Sequence, residues 1–238
     1  MVIGAPWYKN NTGYVKVYQT NNDGNRVQLG QTIYGYPIDD YFGYSVDITS
    51  DGMIIICGSP VNDKPGYARV FSLEADIWKQ IGGDIIGEAI GDDFGISVSI
   101  SNDGETIAVG ADFNDVMTSG HVRIYRLVND GTIWEQIGKD IDGEEGVNNF
   151  GGSVSLSADG SIVAIGAAFS GNNGDDSGQV TVYRFDSDES SWKWLGQSIY
   201  GDKAYDYLGW SINLSYDGST LAIGSPGGIG LIEIGQDM

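Results

Sequence analysis

The chain has 238 residues, among them 37 glycines and only 5 prolines, and a formal net charge of −21 at pH 7. With 41% hydrophobic residues it can bury a large core, which excludes a disordered chain despite the charge. The charge also excludes nucleic acid and anionic lipid as favourable partners, and no apolar run is long enough for direct membrane insertion.

Taken in chain order, the sequence elements repeat with fixed spacing. A Phe-Gly or Leu-Gly dipeptide opens each unit, at Phe42-Gly43, Phe94-Gly95, Phe150-Gly151 and Leu208-Gly209. An Asp-Gly dipeptide follows nine residues later, at Asp51, Asp103, Asp159 and Asp217. A glycine that begins a short Gly-Ser or Gly-Ala motif follows seven residues after each Asp, at Gly58, Gly110, Gly166 and Gly224. Constant spacings of this kind indicate a repeat protein.

Each unit contains four predicted strands. In the unit that begins at Phe150, residues 153–157 alternate polar and apolar side chains, and residues 162–165 form an apolar run after the Asp-Gly turn. A third strand opens with glycine and alternates again over 178–183, with a polar face that we expect to be half exposed. A fourth strand over 192–196 carries tryptophan, and the pattern then restarts.

These features predict an all-β fold, a β-propeller of four-stranded antiparallel blades. We expect a single domain over residues 1–238 with about five blades, three of them full and the two end units three-stranded. The repeat units are 1–35, 42–87, 94–143, 150–201 and 208–238. Because the two part-units overlap, the chain forms either a five-bladed ring with two thin blades or an open, truncated arc of a larger propeller. A β-sandwich is disfavoured, since its strands need not repeat a motif every four strands.

The Phe-Gly dipeptides, Gly4-Ala5-Pro6 and the Gly-x-Val-x-Val-Tyr segments at Gly13 and Gly178 resemble the FG-GAP repeats of the integrin α-subunit N-terminal β-propeller. The resemblance covers nearly the whole chain. It implies an adhesion-type binding module that is extracellular or at the cell surface. In that family the hairpin between strands one and two often carries a calcium loop. The hairpins of this chain keep one Asp each, whereas Ca²⁺ takes six to eight oxygens, so a plain turn is the favoured interpretation there.

One face of a propeller collects the connections from strand two to strand three and from strand four to the next strand one. We count fourteen carboxylates against three lysines in these connections, so the face is strongly negative. The candidate ligand-binding residues are three acidic pairs and a loop tryptophan: Asp39 and Asp40, Asp92 and Asp93, Asp175 and Asp176, and Trp7. Solvated acid is the competing interpretation, and the position of Asp40 and Asp92 can instead cap the turn into strand one. No cofactor is certain, the metal is unknown, and Ca²⁺ stays an open alternative.

Five residues depart from the repeat. His121 replaces the tyrosine or glutamine of other units and is predicted to be a half-exposed strand residue rather than a base or ligand. Cys57 replaces isoleucine or valine and is predicted to lie in the core, and one cysteine permits no internal disulfide. Asp47 replaces serine or asparagine on the channel strand, where a glycosidase would need paired carboxylates. Trp210, like Trp7, breaks the tryptophan periodicity.

The leading functional hypothesis is a non-enzymatic binding module that presents the acidic face to a protein or carbohydrate ligand, with a cation assisting. One alternative is a propeller glycoside hydrolase or lyase with Asp47 in its channel. Another is a structural repeat that self-associates through open ends. The residues themselves leave the compartment unknown.

Overall fold

A computed structural model describes residues 1–61, 63–113, 119–129, 131–144 and 148–227, together with the backbone of 232–233. In this part of the chain the strands form five antiparallel sheets, which we call blades 1 to 5. The described residues include no helix long and apolar enough to span a membrane.

Blade 1 contains β1 (Val2–Gly4), β2 (Tyr14–Thr20) and β3 (Arg26–Tyr34), with a helical turn α1 (Tyr8–Asn11) after β1. Blade 2 contains β4 (Ser45–Ile48), β5 (Ile54–Ser59), β6 (Tyr67–Glu74) and β7 (Ile77–Ile86). Blade 3 contains β8 (Ser97–Ile100), β9 (Thr106–Ala111), β10 (His121–Val128), β11 (Ile133–Gln136) and β12 (Ile141–Asp142). Blade 4 contains β13 (Ser153–Leu156), β14 (Ile162–Ala167), β15 (Gln179–Asp186), β16 (Ser191–Trp194) and β17 (Ile199–Tyr200). Blade 5 contains β18 (Ser211–Leu214), β19 (Leu221–Gly224) and β20 (Ile232–Glu233).

The sheets confirm the predicted all-β propeller fold. In blades 3 and 4 the fourth strand is interrupted, because β11 and β12 both pair with β10, and β16 and β17 both pair with β15. Among the described residues, blades 2 to 4 are therefore the full blades, and blades 1 and 5 have three strands each. The hairpin glycines have the expected positive φ, +75° at both Gly52 and Gly104.

Close contact between blades explains the repeated dipeptides. Gly58, at the end of β5, lies against the next blade, and a Cβ there would collide with the carbonyl oxygen of Gly95. Gly95 itself has φ of +94°, in the region that favours glycine. The same contact recurs between Gly110 and Gly151. The constant spacing thus reflects the backbone geometry of blade packing.

Hydrogen bonds also tie each blade to the next. Along the inner strands, Ser97 Oγ donates to Gly151 O at 2.7 Å, and Leu156 N donates to Ser99 Oγ at 3.0 Å. At the outer edge, Trp134 Nε1 donates to Ile81 O at 3.1 Å. Equivalent bonds join Ser45 to Gly95, Ser153 to Gly209, Trp78 to Leu29 and Trp192 to Ile137. The periodic tryptophans are therefore structural.

The core lies between neighbouring blades rather than inside one sheet. Ile56 of β5 packs with Phe94 and Val98 of blade 3, while Ile55 and Cys57 on its other face pack toward blade 1. Strand two is apolar throughout because both of its faces are buried. The prediction that Cys57 is a core residue is confirmed, since its side chain is fully buried.

The prediction of a half-exposed polar face on strand three is confirmed in blade 1, where Tyr14, Lys16 and Tyr18 are half-buried, and is wrong for the first residue of this strand in blades 2 to 4. Tyr67, His121 and Gln179, which occupy the same position in blades 2, 3 and 4, are all buried. Because adjacent blades cover both sheet faces, a polar side chain at this position must find its partners inside the protein.

Candidate metal centre on the loop face

The loop face is the end of the propeller formed by the connections from strand two to strand three and from strand four to the next strand one. In blade 3, Phe94 is fully buried and anchors the connection that enters β8. Two residues earlier, Asp92 Oδ2 accepts a hydrogen bond from Ala89 N at 3.0 Å, which closes a tight turn. This turn brings Glu88 and Asp92 to the first residue of β10, His121.

Glu88, Asp92 and His121 form a compact group that could hold a metal ion. Each offers one ligand atom, and these atoms all lie within 4.8 Å of one another. His121 is 1% exposed and Asp92 is 2% exposed, whereas Glu88 reaches solvent. Carboxylate oxygens and an imidazole nitrogen are ordinary ligands of divalent transition metals.

The imidazole of His121 has an unused nitrogen. Nε2 is buried and has no hydrogen-bond partner among the described residues. Leaving a polar atom buried without a partner costs about 1–3 kcal/mol. Burial, and to a smaller degree the charge of Arg123, lower the pKa of His121, so the ring is neutral and keeps a lone pair at neutral pH. An imidazole in this state is ready to bind a cation.

Arg123, two residues along β10, holds the carboxylates around the group. Its Nε and Nη2 donate to Asp140 Oδ2 at 3.0 and 2.7 Å, and Nη2 also bonds to Glu88. Blade 2 has the same pair, in which Arg69 donates to Asp84 at 2.8 and 2.7 Å. In blade 4 the two positions are the hydroxyl residues Thr181 and Ser198, whose oxygens lie 3.5 Å apart.

Two further carboxyl groups, Asp93 and Asp112, lie next to this group. Phe113 N donates to Asp92 O at 3.3 Å, which ties the connection after β9 to the turn before β8. Asp112 is buried, its Oδ2 accepts a bond from Asn149, and its Oδ1 is unpartnered among the described residues. Burial raises the pKa of Asp112 to about 7, and the charge of Asp93 adds to the effect. Burial likewise raises the pKa of Asp93.

Asp112 should make the stability of the protein depend on pH. Its pKa in the folded state, about 7, lies above the ordinary value of 3.8, so ionisation favours unfolding. The free energy of unfolding therefore falls as pH rises from about 4 to about 7, by up to about 4 kcal/mol for this group. We expect Asp112→Asn to raise the melting temperature at pH 7.5 but not at pH 4, in the presence of a chelator. Equal shifts at both pH values would contradict this.

Blade 2 shows what the same position does without histidine. Tyr67, the counterpart of His121, donates its hydroxyl to Asp40, the counterpart of Asp92. Asp40 also accepts from Tyr36 N at 2.9 Å, and its carbonyl accepts from Ser59 Oγ. In blade 2 the Tyr67 hydroxyl and the Asp40 carboxylate thus have hydrogen-bond partners. In blade 3, Nε2 of His121 has none among the described residues.

The other candidate residues are dispersed over the loop face. Trp7 is 70% exposed in the first connection of blade 1, and Asp39 lies in the connection into blade 2. Asp175 and Asp176 lie in the connection between β14 and β15 of blade 4. The three acidic pairs thus belong to different connections, and within the described residues it is the pair at Asp92 that meets a histidine.

The prediction that His121 is a half-exposed residue and not a ligand is therefore wrong on its burial, and the structure places it in the metal-compatible group. One sequence signal could have found it. In the repeat alignment, a histidine replaces the Tyr67 and Gln179 of the neighbouring blades. The connection that enters the same blade carries Glu88 and Asp92. A departure from the repeat at a buried position marks a function that the other blades lack.

Asp47 does not form an acid pair in the channel. It lines a cavity of about 510 Å³ at the hairpin end of the inner strands, and no second carboxylate is among the described lining residues. Its Oδ1 accepts from Ile48 N at 2.8 Å, and its Oδ2 accepts from Ser99 Oγ at 3.1 Å and from Ile100 N at 2.9 Å. Burial raises its pKa. Asp47 ties blade 2 to blade 3, as Ser99 ties blade 3 to blade 4.

Solved structures share the fold at low sequence identity. A periplasmic gluconolactonase of Pseudomonas aeruginosa matches with a TM-score of 0.57 at 18% identity, over 90% of this chain and 57% of its own. A protein assigned as a 6-phosphogluconolactonase from Bacteroides fragilis matches with a TM-score of 0.56 at 15% identity, over 94% and 64%. TolB of Acinetobacter baumannii matches with a TM-score of 0.51 at 16% identity, over 92% and 44%.

The chain therefore spans less than two thirds of the length of these propellers. No family model and no curated protein sequence matches it. These findings correct the resemblance to the FG-GAP repeats of integrin α-subunits, since no repeat family of that kind matches and the structural neighbours are lactonases and TolB.

The functional hypothesis that depended on this resemblance is corrected with it. The neighbours named above include hydrolytic enzymes of small molecules, which overturns the prediction of a non-enzymatic adhesion module. The expected protein or carbohydrate partner, and self-association through open ends, are overturned on the same ground. The propeller-hydrolase alternative agrees better with these neighbours, although Asp47 has no second carboxylate beside it among the described residues that line its cavity.

Proposed function

We propose that this chain is a metal-assisted hydrolase of a small lactone or ester, and that Glu88, Asp92 and His121 hold the metal. The observation that carries the proposal is the compact group of Glu88, Asp92 and His121, whose buried imidazole also has an unpartnered Nε2. The names of the gluconolactonase and 6-phosphogluconolactonase neighbours support a hydrolase with a lactone substrate.

The ligand set favours a transition metal over Ca²⁺. One neutral imidazole with two carboxylates suits Zn²⁺ or Mn²⁺, whereas Ca²⁺ prefers six to eight oxygens. Glu88 is the most exposed of the three proposed ligands, so the site opens to solvent on the side of Glu88. Arg123 holds the Glu88 carboxylate in place by a hydrogen bond from Nη2.

In this proposal the protein residues orient the substrate and handle the proton. A divalent cation bound here would polarise the carbonyl group of the substrate. It would also lower the pKa of water, so that hydroxide is available for attack at neutral pH. Asp112, with its unpartnered Oδ1, takes the proton from water and returns it to the leaving oxygen. Water adds across the acyl C–O bond, and one carboxylic acid and one alcohol group result. Phe113, which is 57% exposed beside Asp112, supplies apolar contact for the substrate.

We propose in addition that the chain works outside the cytoplasm. The support is the periplasmic location in the name of the gluconolactonase neighbour. The single, buried cysteine is compatible with an oxidising compartment, because it can neither pair internally nor react readily.

The test is hydrolysis by chelator-treated protein to which Zn²⁺, Mn²⁺, Mg²⁺ or Ca²⁺ is returned. Glucono-δ-lactone and an aryl acetate are the substrates, and each metal in buffer without protein is the control, because lactones hydrolyse spontaneously. We expect Zn²⁺ or Mn²⁺ to raise the rate at least about 100-fold over the metal-free protein. Rates equal to those of buffer with every metal would overturn the proposal.

A further inference from the structure

The junction of blades 4 and 5 carries an exposed cluster of three aromatic rings on the loop face. Phe169, Tyr207 and Trp210 pack edge to face, with centroids 5.8, 5.9 and 6.2 Å apart and interplanar angles of 74° to 81°. Trp210 is 56% exposed and Phe169 is 36% exposed, and the neighbouring Tyr205 is 55% exposed. We call Phe169, Tyr207 and Trp210 the aromatic cluster. Parts of the rings of Trp210 and Phe169 therefore stay in contact with solvent.

Repeat packing does not require these rings. The positions of Phe169 and Trp210 are occupied by Val61 and Ile96 at the junction of blades 2 and 3. At the junction of blades 3 and 4 the counterpart of Trp210 is Gly152. Blades 2 and 3 therefore pack at this point without an aromatic pair, whereas blades 1 and 2 have Trp7 and Tyr44 there. An exposed apolar patch that the fold does not need indicates a binding surface.

The charge around the aromatic cluster is negative. Asp175 and Asp176 are held beside it by backbone bonds, since Tyr205 N donates to Asp175 O at 2.8 Å and Tyr207 N donates to Asp176 O at 3.0 Å. Neither carboxylate forms an ion pair among the described residues, and Lys203 lies 4.0 Å from the buried Asp206. The chain as a whole carries −21.

Solvent-exposed aromatic rings beside carboxylates favour a particular ligand chemistry. The π face of tryptophan or tyrosine attracts an organic cation, and the surrounding acids strengthen that attraction. An anion is repelled by the same charge. A neutral sugar can stack on the rings but gains nothing from the carboxylates.

We propose that the aromatic cluster with Asp175 and Asp176 binds a quaternary or alkylated ammonium group. The site lies between blades 4 and 5, on different residues from the metal-compatible group of blade 3. It therefore stands whether or not the chain is a metal-assisted hydrolase.

The test uses choline and its neutral isostere 3,3-dimethyl-1-butanol, titrated against the full chain by calorimetry and tryptophan fluorescence. We expect choline to bind at least about tenfold more tightly than the isostere. Trp210→Ala should weaken choline binding at least about tenfold, and Asp175→Asn with Asp176→Asn should weaken it and reduce its salt dependence.

Trp194 provides the matched control, because it is also 56% exposed but lies on β16, outside the aromatic cluster. Trp194→Ala should leave choline binding unchanged, and the melting temperature of each variant shows that the fold is kept. Equal binding of choline and its isostere would overturn the proposal. Tighter binding of glucose than of choline, or a loss of choline binding in Trp7→Ala with none in Trp210→Ala, would do so as well.

Discussion

Replacing His121 with tyrosine is expected to abolish metal binding while the fold stays intact. Tyrosine is the residue that blade 2 uses at this position, where Tyr67 donates to Asp40. His121→Tyr should therefore let the new hydroxyl bond to Asp92, which replaces the proposed metal ligand with a saturated hydrogen-bonded pair. His121→Gln copies Gln179 of blade 4 and tests the same point with a second side chain that this scaffold accepts.

The expected result is a loss of Zn²⁺ or Mn²⁺ affinity of at least about 100-fold in both variants, since an imidazole ligand is removed outright. Lactone hydrolysis should fall with it, and the melting temperature in chelator should stay within a few degrees of the unmodified chain. Tyr67→Phe is the matched control, because it changes the equivalent buried position in blade 2 and leaves blade 3 untouched. Metal affinity retained in both His121 variants would show that the cation binds elsewhere.

The second large effect is expected at the buried ion pair of blade 3. Arg123 is 9% exposed and is the cation between Asp140 and Glu88. Arg123→Thr leaves Asp140 with Gln136 as its described partner, at 2.6 Å, and should cost about 3 kcal/mol of unfolding free energy.

Blade 4 indicates how the loss can be recovered. It places Thr181 and Ser198 where blade 3 has Arg123 and Asp140, so the blade architecture accepts a neutral pair. The double variant Arg123→Thr with Asp140→Ser should therefore regain at least half of the lost stability, which urea denaturation of the four proteins in the cycle measures. The control is the matching cycle at Arg69 and Asp84, whose side chains are more exposed, with an expected single-variant cost below about 1 kcal/mol. If the stability losses of Arg123→Thr and Asp140→Ser simply add in the double variant, Arg123 and Asp140 are not energetically coupled.

The fold could be predicted from the sequence because the repeat spacing is a backbone constraint. Gly58 and Gly95 touch across a blade junction where no side chain fits, so the distance between them along the chain cannot vary freely. The alternation and the Asp-Gly turns then indicate four strands per unit. The same constraint applies to any propeller packed in this way, which is why motif spacing alone led to the wrong family and function.

The candidate site could be predicted only in part. The place of Asp92 and Asp93 in a connection predicts that they belong to the acidic loop face, and Asp92 is a member of the metal-compatible group. His121 was visible as a departure from the repeat, but its burial was not. Whether a polar strand residue is exposed depends on the neighbouring blade and on connections that are distant along the chain, such as the one that carries Glu88 and Asp92.

Local pattern and composition are enough to predict four features of this protein. These are the repeat, the four-stranded unit, the buried strand two with Cys57, and the negative charge of the loop face. Only the folded chain shows that Asp47 is tied across the blade junction by hydrogen bonds to Ser99 and Ile100, and that Glu88, Asp92 and His121 lie together. It also shows that Phe169, Tyr207 and Trp210 meet at the junction of blades 4 and 5. The physical reason is that a site is made by groups from separate connections, and their distances are set by how the blades stack rather than by their order in the chain.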